Sequence, residues 1–139
     1  MTIFTTSRLI PAPPEAVFAA LAAPVRLAKW WGPAGFSNTF STFEFTTGGA
    51  WLFTMHGPDG QAYPNEASFT AITPNIQVVI QHENQPRFVL TITLEAQTGG
   101  TKVLWEQVFE DAAIAEAVRH IVEPANEQNL DRWTAEVLI

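Results

Sequence analysis

Few residues in this chain could begin a chemical reaction. The three histidines, His56, His82 and His120, fall on separate predicted elements. A metal site needs several convergent ligands with supporting contacts, so they are read as surface histidines, and no metal or other cofactor is expected. The absence of cysteine removes thiolate nucleophiles, thiolate metal ligands and disulfides. Among the carboxylates, Glu66 follows a turn into its strand, and Glu106 points away from the face that carries Val103 and Gln107. Neither is placed as a general acid or base. There is no phosphate-binding glycine loop, GxSxG elbow, HExxH pair or calcium loop, and Gly32-Pro33-Ala34-Gly35 reads as a connector.

The informative polar residue is Gln107, which faces inward on an otherwise apolar strand face. A buried amide must pair with protein, water or ligand, and structural pairing and ligand anchoring both stay open for it. Asn65, in Tyr63-Pro64-Asn65-Glu66, carries the same ambiguity more weakly, because Asn often serves a turn. Around them the chain spends an unusual number of large rings, among them Trp30, Trp31, Trp51, Phe53, Phe88, Trp105, Phe109 and Trp133. Most must be core. Together they supply more apolar surface than a small core requires, which points to an incompletely filled interior, and apolar pockets with a few polar anchors are what bind small molecules.

The elements that position these residues follow from periodicity. Ile3, Leu9 and Ile10 among Thr and Ser mark a first strand over 2–10. Pro13-Pro14-Glu15 opens a helix with Val17, Phe18 and Leu21 as its buried stripe, because Pro is tolerated in the first turn and an acid suits the positive helix end. A second short helix runs from Pro24 to the Trp30-Trp31 pair and stops at Gly32-Pro33. After Gly35 the period becomes two, with turns at Gly48-Gly49, Gly57-Pro58-Asp59-Gly60, Pro74-Asn75, Asn84-Gln85-Pro86 and Gly99-Gly100. Such short spacing leaves no room for crossover helices, so six strands must form a meander of hairpins. Trp51, Phe53 and Met55 share one face, as do Phe88, Leu90, Ile92 and Leu94, and Val103, Trp105, Gln107 and Phe109; three neighbouring strands should present one apolar face. Its cover is a long last helix, capped by Asp111, with Ile114, Val118, Ile121, Leu130, Trp133 and Val137 at helical spacing. Pro124 should kink or briefly break it near 122–125.

The expected class is therefore α+β, a curved antiparallel sheet in the order β-α-α-β6-α wrapped around a C-terminal helix, as one domain over 1–139. With 14 acidic against 7 basic residues the net charge of −7 opposes binding to a phosphate backbone, so nucleic acid is not an expected partner. The acidic residues from Glu106 onward read as a solvated helix face. The N-terminus lacks a signal-peptide pattern and no stretch is apolar enough to span a bilayer, so cytoplasmic residence is expected. Homodimerisation is common for small domains, but no residue identifies an interface.

Several phrases sharpen this reading: Lys29-Trp30-Trp31-Gly32-Pro33, Gly48-Gly49-Ala50-Trp51, Met55-His56-Gly57-Pro58-Asp59-Gly60 with Tyr63-Pro64-Asn65-Glu66, and the closing Glu123 to Leu138 with Asn129-Leu130-Asp131-Arg132-Trp133. By its order of elements the chain resembles the START-like or SRPBCC superfamily, whose fold also occurs in the birch-pollen allergen. Within that superfamily it resembles, through these phrases, the heat-shock-protein-90 ATPase activator homologue group, single-domain bacterial type. The resemblance implies a helix-grip fold and a hydrophobic ligand cavity between sheet and long helix, and it carries over no catalytic motif. Relatives often have Gly at or beside the position of Pro124. The family name suggests a co-chaperone, yet eukaryotic activators carry an additional N-terminal domain, for which 139 residues have no space. Other branches are cyclases and hydratases of aromatic or polyketide substrates.

The leading expectation is thus a binding module for a small, largely apolar molecule, lined by Trp30, Trp51, Phe53, Met55, Phe88, Trp105, Gln107, Phe109 and Trp133. An enzyme of the cyclase or hydratase type is the alternative, requiring Gln107, His56 or His120 to face substrate, and co-chaperone action is the third reading.

Overall fold

A computed structural model describes residues 2–139. The elements in chain order are β1 (Thr2–Ile10), α1 (Pro14–Ala22), α2 (Pro24–Trp30), β2 (Ser37–Phe43), β3 (Ala50–His56), β4 (Ala62–Thr73), β5 (Gln77–His82), β6 (Phe88–Gln97), β7 (Gly100–Phe109) and α3 (Ala112–Val137). The strands form one seven-stranded antiparallel sheet in the order β1-β7-β6-β5-β4-β3-β2. This is the α+β helix-grip arrangement. The apolar faces of β3, β6 and β7 do look inward as alternation requires, but β3 is not beside the other two: β4 and β5 lie between. Curvature brings the faces together, helped by register shifts between Phe40 and Thr42 and between Phe69 and Ala71, where an extra residue bends its strand.

In β1 the buried residues are Phe4 and Ile10, whereas Ile3 and Leu9 face solvent. The inward positions between them, Thr6 and Arg8, instead grip α3. Thr6 Oγ1 donates to Glu127, and Arg8 donates to Glu127 and, at 2.6 Å, to Asp131. Arg26 on α2 holds the buried carboxylate of Glu136 at 2.9 Å. Part of the acidic stretch near the C-terminus thus fastens α3 to the sheet and to α2.

The Asp111 side chain caps α3, accepting from the backbone N–H of Ala113 and Ile114. Of the kink or break expected near Pro124, the break does not occur; α3 runs without interruption for 26 residues. Pro124 is exposed, so the carbonyl it leaves without an intrahelical donor meets water. Ile121, expected on the buried stripe, is largely exposed, and its place against the sheet is taken by Ala115, Val122, Ala125 and Asn129. Of these, Ala125 and Asn129 bring only short side chains to the inner side of the helix. No helix among the described residues is long and apolar enough to cross a membrane.

Candidate functional site

The space left by those small residues is a cavity of about 280 Å³ between the sheet and the middle of α3. Its wall is built from Trp51, Phe53 and Met55 on β3, Asn65 and Ala67 on β4, Ile80 and His82 on β5, Phe88 and Leu90 on β6, and Trp105 and Gln107 on β7. Ile121, Val122, Ala125, Asn126 and Asn129 of α3, with Trp31, Gly32, Pro33 and Phe36 after α2, close it. A recess of about 540 Å³ at the ends of β5, β6 and β7 is larger, but its sides include consecutive pairs such as Phe88–Val89 and Val108–Phe109. Consecutive strand residues point to opposite faces, so that recess wraps around strand ends and does not enter the interior.

Six of the expected lining residues, Trp51, Phe53, Met55, Phe88, Trp105 and Gln107, meet around the interior cavity. Three lie elsewhere. Trp30 and Trp133 stack on each other, centroids 4.6 Å apart and rings 2° from parallel, and donate from Nε1 to the carbonyls of Ala20 and Val17. They plug the end of the fold under α1 and α2. Phe109 continues the inward face of β7 past the cavity into a separate cluster with Phe4, Phe88 and Ala115. Trp31 lines the cavity in place of Trp30. Helical geometry ends at Trp30, and the extended backbone at Trp31 (φ −66°, ψ 133°) sends the next ring the other way, toward Trp51 and Trp105.

The loop that carries Trp31 is held by Arg132. Its Nη1 donates to the carbonyls of Trp31, Gly32 and Pro33 and its Nη2 to those of Lys29 and Phe36, at 2.7–3.2 Å. No carboxylate pairs with it among the described residues. Burial pulls the Arg132 pKa below its ordinary value. Gly32 closes the loop with φ +95°, and a Cβ there would stand 2.6 Å from the Met55 methyl, so glycine both permits the turn and preserves the cavity mouth. The Gly32 N–H donates to Asn129 Oδ1 at 3.0 Å. The stretch read from sequence as a connector is a wall of the site.

The polar wall holds a second surprise in His82, which is buried and not a surface residue. Its ring stacks on Phe88 at 4.6 Å, Nδ1 lies 2.9 Å from the Pro86 carbonyl, and Nε2 lies 2.6 Å from Asn65 Oδ1. Asn65 Nδ2 in turn donates to the Tyr63 carbonyl. Asn65 is no turn residue: it lies within β4, opposite Phe53. Two oxygens facing the two ring nitrogens suit an imidazolium, while burial, the larger influence, lowers the His82 pKa against hydrogen bonds with the backbone of Pro86 and Asn84 and the charges of Glu66 and Glu83. In the neutral ring only one of the two nitrogens carries a proton, so it can donate to only one of these two oxygens.

The lowered value sets the sign of a pH dependence. Above the ordinary value of 6.5 the ring is neutral in both folded and unfolded chains. As the pH falls below it, the unfolded chain takes up the proton first, so stability is lost down to the folded value. We expect urea unfolding to show the wild type losing more stability than His82→Gln between pH 7.5 and about 5. Equal losses would mean that burial does not control this ring.

The other two histidines are outside the site. His56 Nε2 pairs with the Thr39 hydroxyl at 2.8 Å, and His120 is exposed on α3. Among the described residues no group of three or more His, Asp or Glu could hold a metal. Glu66 and Glu106 are exposed, as their strand parity requires. Gln107 accepts at Oε1 from Asn126 Nδ2 at 3.0 Å, so it has a structural partner and still faces the cavity.

The same architecture occurs in solved bacterial structures. A protein from Chromobacterium violaceum is 24% identical over 97% of this chain and 96% of its own, with a TM-score of 0.86. One from Nitrosomonas europaea is 16% identical over 98% and 94%, with a TM-score of 0.89. The AHSA1 protein from Silicibacter pomeroyi is 22% identical over 99% and 98%, with a TM-score of 0.80. No curated protein matches. The family model described as "Activator of Hsp90 ATPase homolog 1-like protein" matches residues 11–137, and the chain belongs to that family.

Proposed function

We propose that this protein binds a small, largely apolar molecule in the cavity between the sheet and α3. The observation that carries the reading is the cavity itself: about 280 Å³ walled mainly by aromatic and aliphatic side chains, with polar groups confined to a few positions. Interiors normally pack to crystal-like density, so a void this large is costly unless something fills it. Its size is just under the usual 300–1,000 Å³ range of ligand pockets, which favours a compound of one or two rings or a short chain. The fold family supports the reading, since its helix-grip domains commonly hold ligands.

Catalysis has less support from the same geometry. His82 is the one titratable side chain in the wall, and both of its nitrogens already face protein oxygens. Proton transfer to a substrate requires one of those contacts to open first.

Ala125→Phe tests the proposal. Ala125 is on the helical wall of the cavity, and a phenyl ring there occupies the space a ligand needs without removing any existing contact. We expect native mass spectrometry to find a retained small molecule on the wild type and none on Ala125→Phe, with thermal unfolding preserved or raised. A wild type free of any compound, with no thermal shift from a panel of one- and two-ring molecules, would refute the binding reading and leave co-chaperone action, read out as a change in a chaperone's ATPase rate, as the reading to test.

A further inference from the structure

The polar groups left over in the cavity wall are nearly all donors. Asn129 is at least nine-tenths buried, and its amide orientation is fixed because the Gly32 N–H can only donate, which commits Oδ1. Its Nδ2 is the end that remains, with no hydrogen-bond partner among the described residues. Trp51 and Trp105 are equally buried, and their Nε1 atoms, which can only donate, are cut off from solvent without a partner. Gln107 adds a fourth donor at Nε2, since its Oε1 takes the Asn126 amide. The one acceptor left over is Oδ1 of the half-buried Asn126.

Buried polar groups are almost always satisfied, and the two unpaired indole donors cost free energy that a matching acceptor would recover. Charge points the same way. The cavity wall contains no Asp or Glu, while Arg132, without a carboxylate partner among the described residues, binds the carbonyls of the loop that closes it. A cationic ligand would find no counter-charge.

Resting on the binding reading above, we propose that the ligand presents an acceptor oxygen, a carbonyl or a carboxylate, to Asn129 Nδ2 and the indole N–H groups, with its apolar body against Phe53, Phe88 and Leu90. The ligand class is an apolar ketone, ester or acid, and hydrocarbons and amines are discriminated against.

Four β-substituted naphthalenes of similar size test this by calorimetric titration: the ethyl hydrocarbon, the methyl ketone, the carboxylate and the aminomethyl cation. In the wild type we expect the ketone or the carboxylate to bind at least about tenfold tighter than the hydrocarbon, and the amine to bind weakest. Whichever of the two leads tells a neutral acceptor from an ionised one. Asn129→Asp keeps the oxygen that caps Gly32 but turns the free donor into an acceptor, and Trp105→Phe keeps a ring while deleting an N–H. Both should erase most of the tenfold preference while changing hydrocarbon affinity about twofold or less, and the Trp105 variant reads out even if the Asp variant folds poorly. Hydrocarbon binding as tight as that of the ketone and carboxylate in the wild type would overturn the acceptor assignment and leave the binding reading standing. No binding by any probe would overturn both.

Discussion

Replacing Trp133 by Ala should remove about 4 kcal/mol of stability, the middle of the range for deleting a fully buried large ring. The ring is completely enclosed, stacks face to face on Trp30, and donates to the Val17 carbonyl, so its loss opens a void where α1, α2 and α3 meet and orphans an acceptor. Domains are stable by about 5–15 kcal/mol in total, so the variant should be near the edge of folding at physiological temperature. Trp30→Ala should cost a similar amount. Because the rings touch, the double variant should be less destabilised than the sum, by about 1 kcal/mol for the lost stack. Chemical unfolding of the four proteins measures this cycle directly. A Trp133→Ala cost under about 1 kcal/mol would show that α1 and α2 can collapse into the gap.

Arg132→Ala carries the second largest expected effect, about 3 kcal/mol, through a different route. The guanidinium satisfies five backbone carbonyls between Lys29 and Phe36, a segment with no regular secondary structure beyond Trp30 to pair them otherwise. Removing it leaves several carbonyls facing a partly dry pocket and frees the loop that carries Trp31 and Gly32. Arg132→Lys should recover only a minor part, because an ammonium is a compact charge with three donors and lacks the planar fork that spans the five oxygens. Amide exchange separates this from general weakening: protection at Gly32 and Ala34 should fall in both variants under conditions where the strands stay protected. Near-complete rescue by Lys would mean that charge alone, not the fork, holds the loop.

The parts of the fold visible in the sequence were those governed by strict periods and by turn chemistry. Trp51, Phe53, Met55, Leu90, Trp105 and Gln107 point inward because alternation along a strand leaves no choice, and Gly48-Gly49 and Gly99-Gly100 separate strands because few other residues tolerate such turns. What periodicity does not carry is position along a face. Phe109 and Trp105 share a parity, yet one sits in a side cluster and the other on the cavity wall. Nor does it survive the end of an element, which is why Trp30 and Trp31 exchange roles across a helix terminus. His82 went unrecognised for a related reason: it closes β5 on the inward side, Gln77-Val78-Val79-Ile80-Gln81-His82, in phase with Val78 and Ile80. Strand parity places it inside, whereas the residue type, intermediate in burial, does not decide. The donors on Asn129 and the loop clamp of Arg132 depend on contacts between residues about a hundred positions apart, which no local pattern encodes.

The sheet order has a consequence for how the chain acquires its structure. Every strand pair but one joins neighbours in sequence, so five hairpins can form from local encounters. The exception is β1, which pairs along its whole length with β7, Thr2 opposite Phe109 and Ile10 opposite Thr101. Made before all the other strands of this sheet, β1 must wait for β7, and closing so long a loop is the entropically slow step. During that wait Phe4 and Ile10 have no core to enter and Arg8 has no carboxylate on α3 to meet. The strand of this sheet made earliest is therefore among the last to be secured, and it stays exposed and sticky until β7 has followed it.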